Sequence, residues 1–196
     1  MRIIKGNLKD TKKPAREIKM NFKEYQTESR KTALYPNLNL SIEYPLMGLM
    51  GEFGELSEKF KKVLRDNKGV MSPDRIDGII NEASDILWYL FQIYSESGID
   101  FEKEYTEKQL SMEQKSSLLN LLVAMHCSIS DIAIFCVSKN KVLLSCITDP
   151  ANSLVACVKC VCLMCNTTIE NVMDYNIKKL KDRLDRNVIR GDGDKR

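Results

Sequence analysis

The chain has 196 residues, 43% of them hydrophobic, which is enough for one well-buried domain and short for two. A net charge of only +3, dispersed along the chain, argues against a nucleic-acid surface. Seven cysteines, an odd number, favour free thiols in a reducing compartment over a disulfide framework. The apolar runs look too short to span a bilayer and the N-terminus lacks a secretory signal, so we expect a cytoplasmic protein with neither nucleic acid nor a membrane as partner.

Few glycines and prolines, with abundant Leu, Ile, Lys, Glu and Met, favour helices throughout. The sequence therefore predicts an all-α protein with a single domain over residues 20–196. Residues 1–19 are rich in Lys and Arg, contain Pro14 and show no sustained apolar period. We interpret them as a flexible basic arm that joins no core.

A first helix is predicted from about Phe22 to Leu34, where the segment 35–37 would stop it. Gln26 lies on or near the face that carries its aromatic residues. A glutamine amide can hydrogen-bond the edge of a base, but ordinary surface glutamines are just as common. Gln26 is therefore a candidate substrate-binding residue, and a surface position is the equal alternative.

The next two helices are predicted over residues 44–65 and 74–97. In the first of them Gly48, Gly51 and Gly54 recur at every third residue, and each costs helix stability relative to Ala. Such small residues would let a facing helix or a ligand approach closely.

Each of these two helices carries a pair of acids three residues apart, Glu52 with Glu55 and Glu82 with Asp85. Residues at this spacing share one helix face, and both pairs lie among apolar neighbours, where a merely solvated face would mix Lys with Glu. Four carboxylates on facing helices would repel one another unless a cation lay between them. Oxygen ligands suit Mg²⁺, with Mn²⁺ as the alternative, so we predict a metal site. For any one acid alone a solvated helix face stays the plainer explanation.

The second acid pair has no basic residue three or four positions later in the sequence. We therefore expect repulsion among the carboxylates when metal is absent. On this argument the substitution Asp85→Asn leaves the metal-free fold intact or more stable.

Polar and basic residues near the acids are candidates for contacts with phosphate. A last helix is predicted over residues 168–188, and positive charge on one of its stripes would suit a polyphosphate. The candidates are Asn176, Lys179 and Arg183 on that stripe, Lys62 after the first acid pair, and Tyr89 one turn beyond Asp85.

The acid pairs resemble those of the MazG-like, all-α nucleoside triphosphate pyrophosphohydrolases, which carry E-x-x-E on one helix and E-x-x-D on the next. The likeness covers about residues 21–100 and 168–196 and thins out between them. Each match alone is weak, but the set keeps the family's order: Glu24-Tyr25-Gln26, Thr32-Ala33, Tyr44-Pro45, Gly48-Leu49, Gly51-Glu52, Gly54-Glu55, Lys61-Lys62, Arg65-Asp66, Asp85-Ile86-Leu87-Trp88-Tyr89, Asn176-Ile177, Lys179-Leu180, Arg183 and Gly191-Asp192-Gly193-Asp194. The tail departs from the pattern in having Lys195 where Asn is usual.

The resemblance implies Mg²⁺-dependent hydrolysis of a nucleoside triphosphate to the monophosphate and pyrophosphate. The four acids would hold the metal, and we take Glu55 as the base. Lys179 and Arg183 would stabilise charge on the transferring oxygens, with Asn176 as a further phosphate-side residue. In the family the first helix helps to form the base pocket, which makes Gln26 a candidate there.

Other classes of protein can use a carboxylate cluster. An oxidative di-metal bundle needs Glu-x-x-His twice, and a chain with one histidine cannot supply it. No Gly-rich loop followed by Lys-Ser/Thr is present, which argues against a P-loop mechanism. A non-catalytic nucleotide-binding or assembly module that retains the acids is our alternative.

Extra helices are predicted over residues 112–166. An offset of 70 residues would pair Glu82 with Asn152 and Asp85 with Val155, so these helices are either a degenerate copy of the metal-binding hairpin or an unrelated insertion. The first interpretation gives a pseudo-dimer within one chain, whereas the family's usual assembly gives a homodimer.

Four cysteines cluster in this part of the chain, at Cys157, Cys160, Cys162 and Cys165. Structural zinc pairs usually straddle a tight turn, and no Gly, Pro or other turn-former separates these residues. We predict that they are mostly buried and bind no metal. His126 lies in an apolar run and is predicted to be a core residue. The tail 190–196 either frays or closes over the nucleotide as a flap.

Overall fold

The computed structural model of the protein describes residues 4–5, 20–138 and 145–188. Regular structure in these ranges is almost entirely helical, which confirms the all-α class. The eight α-helices of this part of the chain are α1 Phe22–Arg30, α2 Glu43–Asp66, α3 Pro73–Glu96, α4 Phe101–Glu104, α5 Met112–Ser116, α6 Leu118–Val137, α7 Thr148–Met164 and α8 Ile169–Asp185. The tail for which a flap was considered, residues 190–196, lies outside the described residues.

Helix α1 begins as predicted and ends early. Asn21 caps it: its side chain accepts a hydrogen bond from the Glu24 amide at 2.8 Å, and the Glu24 carboxylate accepts one from the Asn21 amide at 3.1 Å. After Arg30 the backbone forms tighter turns than an α-helix, because the next three amides donate hydrogen bonds to carbonyls three residues back. The predicted end at Leu34 is therefore wrong, since the chain leaves the α-helix before the segment expected to stop it.

Helices α2 and α3 agree with the predicted ranges to within one residue at each end. Pro73 is the first residue of α3, where its missing amide hydrogen costs no helical hydrogen bond. In the connection, Gly69 takes the left-handed region with φ of 81°, which a glycine adopts without steric cost. This short connection brings α3 back against α2.

Helix α3 is the centre of the molecule. It packs against α1, α2, α7 and α8, and its side chains Ile79, Ile86 and Phe91 are fully buried. Leu49 and Leu56 of α2 are buried as well. Because the acids on α2 and α3 alternate with these core positions, the packing that buries the apolar side chains also brings carboxylates of both helices to one interface.

The extra helices predicted over residues 112–166 are α5, α6 and α7. Helix α6 packs on α5, α7 and α2, and α7 packs on α3 and α8.

In the cysteine cluster Cys157, Cys162 and Cys165 are buried and Cys160 is partly buried, which confirms the prediction of burial. Burial raises the pKa of Cys157 and of Cys162 to about 12. That these thiols bind no metal stays a prediction.

One face of α6 is open to solvent. Leu119, Val123, Ile134 and Val137 are all more than half exposed. His126 lies on the same face, with its ring centroid 5.5 Å from that of Phe53, and is exposed. The prediction of a core histidine is therefore wrong, because apolar residues all round a helix do not reveal which side another element covers.

Helix α6 also corrects an expectation about membranes. Among the described helices it is the one that by itself is long and apolar enough to cross a bilayer, whereas α7 and α8 reach that composition only as a pair bent by 91°. The expectation that no apolar run reaches this length is therefore wrong. The core helix of a protein in water meets the same criteria of length and composition, so the finding alone assigns no membrane.

Two residues of the basic arm join the fold. Ile4–Lys5 form a short strand, β1, that runs parallel to β2 at Val70–Met71, with Ile4 opposite Val70. That the arm joins no core stays a prediction, since this pairing shows only a contact between backbones. Backbone pairing of this kind is not revealed by apolar periodicity. The other residues up to 19 lie outside the described part of the chain.

Candidate metal centre

Glu52 of α2 and Glu82 and Asp85 of α3 bring their carboxylates together. One oxygen from each lies within 4.8 Å of the other two. The side chain of Glu82 is 1% exposed and that of Asp85 is 16% exposed. Carboxylates this close and this deeply buried need positive charge nearby. The predicted convergence of the two acid pairs is confirmed for these three residues, which we call the acid cluster.

Glu55 lies outside the acid cluster. It is exposed, one turn after Glu52 on α2. Its charge nevertheless acts on Glu52 and disfavours ionisation of that carboxyl. The expected roles of Glu55 as a metal ligand and as the base stay predictions.

Lys179 of α8 supplies one positive charge to the acid cluster. Its Nζ atom lies 2.7 Å from each carboxylate oxygen of Asp85 and 2.8 Å from Oδ1 of Asn81. A weaker contact of 3.3 Å reaches the hydroxyl of Ser84. The Lys179 side chain is only 10% exposed, so this ion pair is largely shielded from water. From the sequence Lys179 is a phosphate contact, whereas in the fold it binds a predicted metal ligand directly.

Lys59 of α2 supplies a second positive charge, and sequence reasoning missed it. Its Nζ atom lies 2.9 Å from Oε1 of Glu82. This contact is an ion pair without hydrogen-bond geometry, since Oε1 accepts no hydrogen bond. The stem of Lys59 passes over Gly78, where an added Cβ would lie 3.4 Å from Cδ of the lysine. The available signal was the position of Lys59 two turns after Glu52, which puts the two residues near one face of α2.

A buried chain of hydrogen bonds holds Asp85. The hydroxyl of Tyr25 donates to Oδ1 of Asn176 at 2.9 Å, and Nδ2 of Asn176 donates to Oδ1 of Asp85, also at 2.9 Å. Both Tyr25 and Asn176 have no exposed surface. Burial, followed by the charge of Asp85, raises the pKa of Tyr25 and keeps its hydroxyl a donor. Three helices, α1, α3 and α8, therefore fix the orientation of one carboxylate.

Glu52 is the acid whose ionisation is most strongly affected. Burial, and after it the charges of Asp85, Glu55 and Glu82, raise the pKa of Glu52 to about 8, while Lys179 opposes the shift. Glu52 therefore carries a proton at neutral pH as long as no metal is bound. In that state the two lysines balance the two remaining carboxylates of the acid cluster.

Tyr89 lies beside the acid cluster. Its ring covers Gly48, where an added Cβ would lie 2.1 Å from Cε1 of the tyrosine. Burial, together with Tyr44, Glu52 and Asp85, raises the pKa of Tyr89 and keeps its hydroxyl protonated. Its hydrogen bond to a phosphate or sugar stays a prediction.

The remaining candidates have contacts of other kinds. The amide of Gln26 accepts a hydrogen bond from the Phe101 backbone at 2.9 Å and donates one to the Ile99 carbonyl at 2.8 Å, which ties α1 to the start of α4. Lys62 lies 3.6 Å from the carboxylate of Glu58 on its own helix. Arg183 is buried, one turn after Lys179 on α8. Substrate contacts by these three residues stay predictions, and Gln26 has an evident structural role.

The acid cluster fits a hard divalent cation. All three side chains offer carboxylate oxygens, the ligands that Mg²⁺ and Mn²⁺ prefer. Oε1 of Glu82 is buried and has the Lys59 ammonium 2.9 Å away, so a positive charge already balances this oxygen in the metal-free fold. No other group of three or more metal-ligating side chains occurs within the described ranges.

These observations define an all-α protein with a carboxylate cluster buried between two of its helices. No family model and no solved structure matches the chain. The chain is 37% identical over 79 residues to "Gene 37 protein" of Mycobacterium phage L5, a match that covers 38% of this chain and 69% of that protein. The chain therefore belongs to the same family as the phage protein.

Proposed function

We propose that the protein is a divalent-metal-dependent nucleoside triphosphate pyrophosphohydrolase of the MazG-like type. The observation that carries this proposal is the buried acid cluster with Lys179 bound to one of its members. A site for a metal-bound polyphosphate needs carboxylates for the metal beside a cationic side chain for the phosphates. The ordered set of motifs that resembles this family supports the same assignment.

Glu52, Glu82 and Asp85 would hold Mg²⁺ or Mn²⁺, which when bound activates water and offsets phosphate charge. Glu55, exposed on the next turn of α2, would accept the proton of the attacking water. Lys179 would stabilise negative charge on the phosphate oxygens. The hydrogen bond from Asn176 would keep Asp85 oriented throughout.

The remaining parts of the substrate would be bound around this centre. Tyr89 would donate its hydroxyl to a phosphate or the sugar, since it stays protonated beside the acid cluster. Arg183 would add positive charge one turn from Lys179, and Lys62 would contribute only after leaving Glu58. We propose a cytoplasmic enzyme that acts on free nucleotides, as a homodimer or as a pseudo-dimer within one chain.

A non-catalytic nucleotide-binding or assembly module is the second candidate. One observation favours it: Lys59 and Lys179 already balance two carboxylates, so the fold can keep the acid cluster without a metal. Turnover separates this candidate from the enzyme, because a binding module would bind nucleotide and release no pyrophosphate.

The test is pyrophosphate release from a panel of nucleoside triphosphates, with Mg²⁺ and with a chelator. We expect metal-dependent turnover that Asp85→Asn lowers by at least about a hundredfold, because a ligand charge and an ion-pair partner are lost together. Asp182→Asn is the matched control, since it makes the same change on an exposed residue of α8 that pairs with Arg186. No turnover by the unmodified protein on any nucleotide, or equal rates for the two variants, would refute the enzyme assignment.

A further inference from the structure

We infer that Lys59 and Lys179 are internal counterions of the acid cluster, which leave their carboxylates when a divalent cation binds and then contact the phosphates of the nucleotide. Binding of metal and binding of nucleotide are thereby coupled. This inference rests on the proposed function and adds to it a role for Lys59.

The two ammonium groups contact the carboxylate oxygens that a divalent cation would bind. Lys179 lies 2.7 Å from both oxygens of Asp85, and Lys59 lies 2.9 Å from Oε1 of Glu82. Both carboxylates belong to the group whose oxygens converge within 4.8 Å. A cation bound by these oxygens would lie within repulsive range of the ammonium groups, so metal binding has to move the lysines.

Each displaced lysine would lie beside the phosphates of a nucleotide held by the metal, because each now contacts an oxygen of a predicted metal ligand. The side chain of Lys59 is 24% exposed and that of Lys179 is 10% exposed, so water compensates little for a lost carboxylate. Lys179 retains its contacts with Asn81 and Ser84, which accept hydrogen bonds but carry no charge. Phosphate oxygens of a nucleotide held by the metal supply the missing negative charge close by.

The two lysines differ in how readily they can move. The stem of Lys59 passes over Gly78, where an added Cβ would lie 3.4 Å from Cδ of the lysine, so a residue without a side chain leaves it space. Lys179 is held by several acceptors at once. Lys59 is also the more exposed of the two side chains, at 24% against 10%, so its removal disturbs the packing less and is the better test of the exchange.

The exchange predicts opposite effects of one substitution on two affinities. Without nucleotide, Lys59 competes with the metal for Glu82, so Lys59→Met should bind Mn²⁺ about tenfold more tightly. With saturating Mn²⁺, the same variant lacks a phosphate partner and should bind a triphosphate analogue with a non-hydrolysable α,β bridge about tenfold more weakly. A purely structural role for Lys59 would weaken both affinities or change neither.

Calorimetric titration of the full chain, first with Mn²⁺ alone and then with the analogue at saturating Mn²⁺, measures both affinities. Lys61→Met is the matched control, because this exposed lysine of the same helix pairs with Glu58, and it should behave as the unmodified protein does. Lys59→Arg keeps the charge and should restore most of the affinity for the analogue. If Lys59→Met does not fold, as judged by circular dichroism, Lys59→Gln is measured in its place.

Two outcomes overturn the inference in different ways. If the unmodified protein binds Mn²⁺, Asp85→Asn does not, and Lys59→Met matches Lys61→Met in both titrations, the lysine exchange is refuted and the metal site stands. If the unmodified protein binds no Mn²⁺ at all, the exchange and the proposed function are refuted together.

Discussion

Asp85 is bound directly by two residues of α8 and, through one of them, by α1. It accepts hydrogen bonds from Lys179 and Asn176, and the hydroxyl of Tyr25 holds that asparagine in place. The sequence suggested unpartnered carboxylates, and so a gain in metal-free stability on replacing Asp85 with Asn. That argument loses its basis, because the substitution removes a shielded ion pair as well as repulsion.

Glu52 makes the stability of the metal-free protein depend on pH. Its pKa is about 8 in the fold, against 4.5 for an unperturbed glutamate. Between these two values the folded state keeps a proton that the unfolded state has lost, so stability falls as pH rises across this window. Glu52→Gln cannot titrate. It should match the unmodified protein near pH 5 and melt at a higher temperature near pH 8, as measured by thermal unfolding in a chelator.

Glu58 provides a control of opposite sign on the same helix. Its hydrogen bond with Lys61, together with the charges of Lys61 and Lys62, lowers the pKa of Glu58. The charged form of Glu58 therefore stabilises the fold at pH values above the pKa of an unperturbed glutamate. Glu58→Gln should accordingly show no gain in stability near pH 8. Identical pH profiles for Glu52→Gln and the unmodified protein would show that Glu52 ionises normally.

In helix α2 three glycines at the same spacing have different surroundings. An added Cβ at Gly48 would lie 2.1 Å from the ring of Tyr89, whereas nothing lies within 4 Å of one at Gly51 or Gly54. The close approach expected from the sequence is therefore confirmed for Gly48, with a side chain of the facing helix as the neighbour.

Replacement by alanine should have opposite effects on stability at two of these glycines. Gly48→Ala should lower the free energy of unfolding by about 1 to 3 kcal/mol, because Tyr89 has to move, whereas Gly51→Ala should raise it by up to about 1 kcal/mol through helix propensity. Denaturant unfolding in a chelator measures both changes. In a Tyr89→Ala background Gly48→Ala should lose most of its cost. Equal effects of the two alanines would contradict a specific contact between Gly48 and Tyr89.

The helices could be predicted where local signals agree. Apolar periodicity, Pro73 and the acid pairs were enough to locate α2 and α3 and the convergence of their carboxylates. The early end of α1 depends on tight backbone turns, and the exposure of His126 depends on which face of α6 another helix covers. Lys59 was missed because a lysine in a charged stretch of helix looks solvated until its partner on α3 is known.

In the described part of the chain two helix pairs meet at α3, which belongs to the first of them. Helix α2 packs on α3, and α6 packs on α7, which itself contacts α3. The offset of 70 residues would make the second pair a degenerate copy of the first, with Asn152 at the position of Glu82. Both side chains are buried, at 3% and 1% exposure, and each has an oxygen that accepts no hydrogen bond. This likeness is what a copy that has lost its ligands would leave, and the repeat itself stays a prediction.

The two positions should respond differently to loss of their polar atoms. Asn152→Leu keeps the shape of the side chain and removes an unsatisfied buried oxygen, so we expect the free energy of unfolding to rise by about 1 to 2 kcal/mol with Mn²⁺ affinity unchanged. Glu82→Gln, the counterpart in α3, should abolish measurable Mn²⁺ binding, since it removes the most deeply buried charge of the acid cluster. Denaturant unfolding in a chelator and calorimetric Mn²⁺ titration of both variants test this contrast. A loss of Mn²⁺ affinity in Asn152→Leu would mean that the second helix pair contributes to the metal site. A loss of stability would mean that Asn152 has a polar partner, and that losing this partner costs more than removing the unsatisfied oxygen gains.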